Sequence, residues 1–223
     1  MIGSYVIKVY TSGMPQRVAS GFNKVFEGFT GASYTPIAYL GSKTVNGTNH
    51  AILAEQKLIV KDDVKSIVLL VLNEKPGDIR GDSFEIVEIK TLLTDATNTA
   101  LGGIHIAPTT DIPKDAMEVF EGHFGGFFGA NNTPFALLAT QMVNGVAYYF
   151  AVDSTMVTNP VGDSANVITT ANNKSIQIVK VYSNYSQIET KEVISGTAEV
   201  DENEEKSDAL GYAFTWLKDT NWP

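Results

Sequence analysis

The side chains best able to move protons near neutral pH are three histidines, His50, His105 and His123. Their spacings match no metal-binding or nucleophile-activating motif, so they read as packed or surface residues. The chain has no cysteine. That removes disulfides, thiolate metal sites and a cysteine nucleophile together, and leaves the redox compartment open. No Gly-x-Ser-x-Gly elbow is present. Gly102-Gly103 and Gly125-Gly126 do not complete a phosphate loop between a strand and a helix. Carboxylates are plentiful, but no pair stands apart by its spacing. The expectation is therefore a protein that is not an enzyme and needs no metal or cofactor. Asn-x-Ser/Thr sites occur at Asn46, Asn131, Asn173 and Asn184, and matter only in a glycosylating pathway.

Contact chemistry is better represented than catalysis. Two Asn-Gly dipeptides, Asn46-Gly47 and Asn144-Gly145, lie between strand-like runs. Asn-Gly is a strong hairpin signal, because a type I′ turn needs positive φ at both central residues. The flanking residues are alike: Lys43-Thr44-Val45-Asn46-Gly47 in one loop and Gln141-Met142-Val143-Asn144-Gly145 in the other. A further turn is expected at Lys75-Pro76-Gly77.

Those loops belong to a duplicated frame. Thr35-Pro36-Ile37-Ala38-Tyr39-Leu40 recurs as Thr133-Pro134-Phe135-Ala136-Leu137-Leu138, and Val45-Asn46-Gly47 recurs as Val143-Asn144-Gly145 at the same offset. Val25-Phe26-Glu27-Gly28 matches Val119-Phe120-Glu121-Gly122, and Lys65-Ser66-Ile67 matches Lys174-Ser175-Ile176. The matches are collinear with growing offsets, as a duplication with loop insertions would leave them. The insertions fall at 125–132 and 159–173, both loop-like in composition.

Periodicity supplies the elements. Tyr5 to Tyr10 alternates as a strand. Pro15 suits a helix start, and Val18, Phe22, Val25, Phe26 and Phe29 then mark one helical face, with Gly31 as the stop. Pro113 opens the second helix, striped by Ile112, Ala116, Val119, Phe120 and Phe124. Strands are expected over 37–45, 48–60, 65–73 and 84–93, and again over 135–143, 147–156, 176–182 and 188–194. Hairpin connections imply an antiparallel sheet, and a sheet curled around each helix would bury its apolar face. The acidic run Asp201–Lys206 reads as a solvated linker. The aromatic stretch beyond it, with Tyr212, Phe214, Trp216 and Trp222, reads as a final strand or a docking segment.

The bulk numbers set limits on partners. A formal net charge of −9 disfavours nucleic acid. No basic run suggests anionic lipid, and no apolar run approaches the ~20 residues of a membrane span. Met1 to Val6 lacks the regions of a signal peptide. An authentic start would mean a cytoplasmic protein, while a trimmed secreted one would look the same.

Gln141-Met142-Val143-Asn144-Gly145 resembles the Gln-x-Val-x-Gly loop of the cystatins, inhibitors of papain-like cysteine proteases. The first loop keeps Val-x-Gly and has Lys43 in place of the glutamine. The resemblance implies an α+β fold of two tandem cystatin-like units, each an antiparallel sheet wrapped around one helix. These would be residues 1–95 and 96–200, followed by an acidic and aromatic segment over 201–223. It also implies a wedge of three parts: a glycine near the start (Gly3, or Gly102 and Gly103), the hairpin loop, and a second hairpin. Lys75-Pro76-Gly77 stands at that second hairpin in the first copy, and Ser183-Asn184-Tyr185, with neither Pro nor Trp, in the second. The implied function is reversible, competitive inhibition of a papain-like cysteine protease. The alternative is a non-inhibitory module that binds another protein partner.

Overall fold

The computed structural model describes residues 3–59, 64–77, 83–95, 102–126, 129–156 and 173–199. The acidic run, the aromatic stretch and most of the 159–173 insertion lie outside the described residues. The first half runs β1 (Tyr5–Tyr10), α1 (Gln16–Phe26), β2 (Ala32–Val45), β3 (Gly47–Leu58), β4 (Lys65–Glu74) and β5 (Phe84–Thr94). The second runs β6 (Ile104–Thr109), α2 (Lys114–Phe124), β7 (Ala130–Met142), β8 (Val146–Met156), β9 (Asn173–Tyr182) and β10 (Ile188–Ala198).

The architecture differs from two separate α+β units, each with a sheet around its own helix. All ten strands of the described residues belong to one mixed sheet, in the order β5-β4-β3-β2-β1-β10-β9-β8-β7-β6. The two halves are fused where β1 and β10 pair in parallel, with Tyr5 opposite Gly196, Val6 opposite Thr197 and Ile7 opposite Ala198. Each helix has only 11 residues and lies on one face of its half, so it cannot organise a whole unit.

The opposite face supplies the larger core. Ile7, Leu40, Leu53, Ile67 and Leu69 from the first half form one buried cluster with Ile106, Leu138, Ala151, Ile176 and Ile178 from the second. The sheet thus curls so that its two halves cover each other, and β4 touches β6 across the interior. Lys191 of β10 donates to the Leu92 carbonyl of β5 across the same space, at 3.3 Å. On the outer face, Val18 and Phe22 of α1 pack on Tyr39, Ile52, Val68 and Leu70. Ala116 and Phe120 of α2 pack on Phe150, Val152 and Val179. Burial on both faces explains why Ile67 to Leu72 is buried at every position rather than alternating.

Several boundaries also differ from expectation. β2 and β7 begin at Ala32 and Ala130 and run through Pro36 and Pro134. β1 pairs with β2 only from Tyr39 onward, and β6 with β7 only from Leu137 onward. Each proline therefore sits where its missing N–H breaks no ladder bond on that side. Register shifts follow at Pro36/Ala38 and Tyr39/Gly41, and again at Pro134/Ala136 and Leu137/Ala139. Helix α1 stops at Phe26, with Glu27 extended and Gly28 at φ 74°, before the expected Gly31. Phe29 falls in the following loop, 45% exposed.

The seam depends on a close approach. A Cβ at Gly196 would stand 1.9 Å from the Tyr5 carbonyl oxygen. Only glycine lets the two backbones come this near.

Candidate functional site

The turns joining β2 to β3, β4 to β5, β7 to β8 and β9 to β10 gather at one end of the sheet, with the starts of β1 and β6. This follows from antiparallel pairing within each half and the parallel β1–β10 seam. Each half therefore presents three separate chain segments along one edge.

The second half is the more tightly wired. Between β7 and β8, Asn144 has φ 44° and Gly145 φ 119°, the two positive values expected of Asn-Gly. Asn144 donates its side-chain amide to the Tyr185 hydroxyl. Asn184 donates to the Asn144 carbonyl at 2.9 Å. The Val146 N–H donates to Ser183 Oγ at 3.0 Å, and the Ser183 N–H to the Val146 carbonyl at 2.8 Å. Ser183-Asn184-Tyr185 and the β7–β8 loop thus form one block. Gly145 favours glycine through its positive φ, and a Cβ there would also press on the Asn184 amide nitrogen at 2.5 Å and displace that side chain.

The third segment is held by Gln141. Its Nε2 donates to the Gly102 carbonyl at 2.6 Å, and its Oε1 accepts from the Tyr149 hydroxyl at 2.8 Å. Burial raises the pKa of Tyr149, which keeps that hydroxyl a donor. Gln141 is therefore a half-buried strand residue that staples Gly102 to the hairpin. Gly102, at φ 111°, lies against Met142 and Val143, and Gly103 leads from it into β6. What the loop offers to solvent is Met142, 65% exposed, then half-buried Val143 and exposed Asn144.

The first half repeats the arrangement with different joints. A Cβ on Gly3 would lie 3.1 Å from the Thr44 carbonyl, which puts Gly3 beside the β2–β3 loop. Lys43 holds its ammonium over the Tyr5 ring at 5.6 Å. The loop is tighter than its counterpart: Val45 pairs directly with Gly47, and of Asn46 and Gly47 only Gly47 has positive φ, 96°. Asn73 donates to the Asn46 carbonyl at 3.4 Å and to Asn49 at 2.7 Å, which fixes the loop on β4. Thr44, Val45 and Asn46 are exposed, as are Lys75, Pro76 and Gly77 at the start of the next turn. The rest of that turn, 78–82, lies outside the described residues.

The two edges face the same way without forming one wedge. Gly196 stands opposite Tyr5, so the start of β10 at Ile188 projects roughly 26 Å further along the seam.

Two features have no signature in the spacing of residues. His123, in the last turn of α2, places one ring nitrogen 2.8 Å from the Val119 carbonyl and the other 2.7 Å from the Tyr185 carbonyl. It ties the second hairpin to the helix. His50 is buried between the Tyr39 hydroxyl, 3.1 Å from Nδ1, and Glu74, 3.2 Å from Nε2. Glu74 in turn accepts from Arg17 of α1. Burial pushes the His50 pKa down, and Glu74 opposes that shift. Tyr39 is also buried, so this chain of groups braces α1 against β2, β3 and β4, with its Tyr39 and His50 members inside and Arg17 at the surface. His105 is exposed on β6.

Among the described residues, no three His, Asp or Glu side chains are placed to hold a metal ion, and no helix is long and apolar enough to cross a membrane. Comparison of the chain with protein-family models, curated proteins and solved structures finds no match in any of the three.

Proposed function

We propose that the chain is a reversible, competitive inhibitor of papain-like cysteine proteases that docks through the loop edge of its second half. The observation that carries this reading is the joining of Gly102, Met142–Gly145 and Ser183–Tyr185 into one hydrogen-bonded edge with Met142 and Val143 at its rim. A preassembled edge loses little conformational entropy on entering a cleft, so more of its apolar contact energy remains as affinity. Its turns would fill the cleft without presenting a well-placed peptide bond to the nucleophile. The reading rests on the edge and the Gln141–Gly145 sequence, not on the fold of the whole chain.

A second reading, a protein-binding module without inhibitory action, is favoured by Gln141. The amide at the head of the recognisable sequence is held by the scaffold itself, through one bond to Gly102 and one from Tyr149, rather than being aimed outward at a partner.

Titration of papain at fixed substrate separates the two. The inhibitor reading expects competitive inhibition that Val143→Asp weakens at least tenfold with the melting temperature retained. Inhibition untouched by Val143→Asp would refute the edge assignment. Absence of inhibition of papain and of a panel of related proteases at micromolar protein would leave the binding-module reading.

A further inference from the structure

We infer that the groove at the C-terminal end of α1 is a docking site for this chain's own aromatic segment, residues 212–222. The groove has a volume of about 690 Å³ and is walled by Phe22, Phe26, Phe29, Tyr34 and Ile59. Its rings form a connected set, with Phe26 centred 4.8 Å from Phe22, 5.5 Å from Phe29 and 4.5 Å from Tyr34. Yet Phe29 is 45% exposed and Ile59 67% exposed. Side chains of this size left open side by side mark a surface that something covers.

Placement selects the occupant. The last described residue, Glu199, pairs with Lys8 of β1. Lys8 lies over Tyr10, whose ring meets Tyr39 beneath α1. The chain therefore leaves β10 on the sheet face that carries α1. From there the groove is two strands across, past β1 to β2, and about five residues along β2, on the order of 20 Å away. The stretch 200–211 can span on the order of 40 Å when extended. It is acidic and hydrophilic at first, as a solvated tether should be, and it delivers Tyr212, Phe214, Trp216 and Leu217. A tether this short gives the segment a millimolar-scale effective concentration at the groove, which a separate partner would have to exceed.

The equivalent groove beside α2 is less suited to such an occupant. It holds about 790 Å³ but is lined by Asn132, Ser154, Gln177 and Thr190 around a single ring, Phe124. Aromatic rings would there displace water from hydroxyl and amide groups without replacing its hydrogen bonds. In the α1 groove they meet other rings in tilted and edge-on geometry.

The test uses a property of the composition. Both tryptophans of the chain, Trp216 and Trp222, lie in the segment, so intrinsic tryptophan emission reports on it alone. The full-length protein should show blue-shifted emission protected from acrylamide, unchanged over a hundredfold range of protein concentration. Phe29→Asp and Ile59→Asp, both at exposed positions, should each red-shift the emission and raise quenching severalfold while circular dichroism stays the same. Solvent-like emission from the parent would overturn the inference and leave the groove to a different partner. Burial that grows with concentration would overturn it in favour of a second copy. Buried tryptophans that ignore both substitutions would place the segment elsewhere.

Discussion

Replacing Gly196 with alanine would drive a methyl group into the seam that unites the two halves. The new Cβ would start 1.9 Å from the Tyr5 carbonyl oxygen, 2.7 Å from its carbon and 3.0 Å from its Cα, all backbone atoms that no rotamer change can move aside. Carbon–oxygen contacts between adjacent strands settle near 3.3 Å, so β1 and β10 must separate by roughly 1.4 Å. The seam contains three residue pairs. Stretching two or three ladder bonds at about 1 kcal/mol each implies a loss of ~2–3 kcal/mol. Urea unfolding should report that loss as a lower midpoint, and amide exchange should quicken at Tyr5 to Ile7 of β1 ahead of the neighbouring β2. Gly122→Ala is the control: it lies in α2 with nothing near its added Cβ, and should stabilise by ~0.5–1 kcal/mol through helix propensity. An unchanged midpoint together with unchanged exchange for Gly196→Ala would refute the account of the seam.

Three further outcomes are expected. Gly21→Ala should destabilise despite better helix propensity, because its Cβ would fall 2.4 Å from the Phe84 ring; adding Phe84→Leu should recover part of the loss in thermal melts. His50, with its folded pKa held below the ordinary 6.5, contributes stability that is complete above pH 6.5 and lost as the pH falls through its folded value, since the unfolded chain takes up that proton first; melting temperature should drop between pH 7.5 and pH 5, and His50→Gln should flatten the profile. Gln141→Ala should cost about 2 kcal/mol in urea unfolding, because the buried Tyr149 hydroxyl loses its acceptor; a change below about 0.5 kcal/mol would show that the staple to Gly102 is dispensable.

Much of the local structure could be read from residue order, and the reasons for the failures are physical. β1 was legible because Tyr5 to Tyr10 alternates beside few competing signals. The β7–β8 turn was legible because Asn144-Gly145 permits few backbone conformations. Paired prolines and their following bulges mark both halves, yet Pro36 and Pro134 also hid five residues of strand apiece, since a proline ordinarily argues against a ladder. The seam was illegible: pairing between Tyr5 and Gly196 leaves no mark within any sequence window. The mutual covering of the halves did leave one. Ile67-Val68-Leu69-Leu70-Val71-Leu72 is too uniformly apolar for a strand with one wet face, and an antiparallel sheet wrapped on a single helix could not have buried both its sides. At the candidate edge, Gln141 was located by its motif but not its role. Its partners, Gly102 and Tyr149, become neighbours only through pairing of β6, β7 and β8.

The sharing of one interior by both halves bears on how the chain is made. A ribosome finishes β1 to β5 before β6 begins, so Ile7, Leu40, Leu53, Ile67 and Leu69 wait with no opposing surface. The strand that closes the seam, β10, is the last of the described elements to emerge. At elongation speeds of about 5–20 residues per second, the nascent first half spends roughly 5 to 20 seconds with a bare apolar face before β10 is complete. Its hazards are set by that interval: pairing with another nascent copy, capture by a chaperone, or precipitation. Slower translation should lengthen the exposure and lower the soluble yield, even though the finished protein is unchanged.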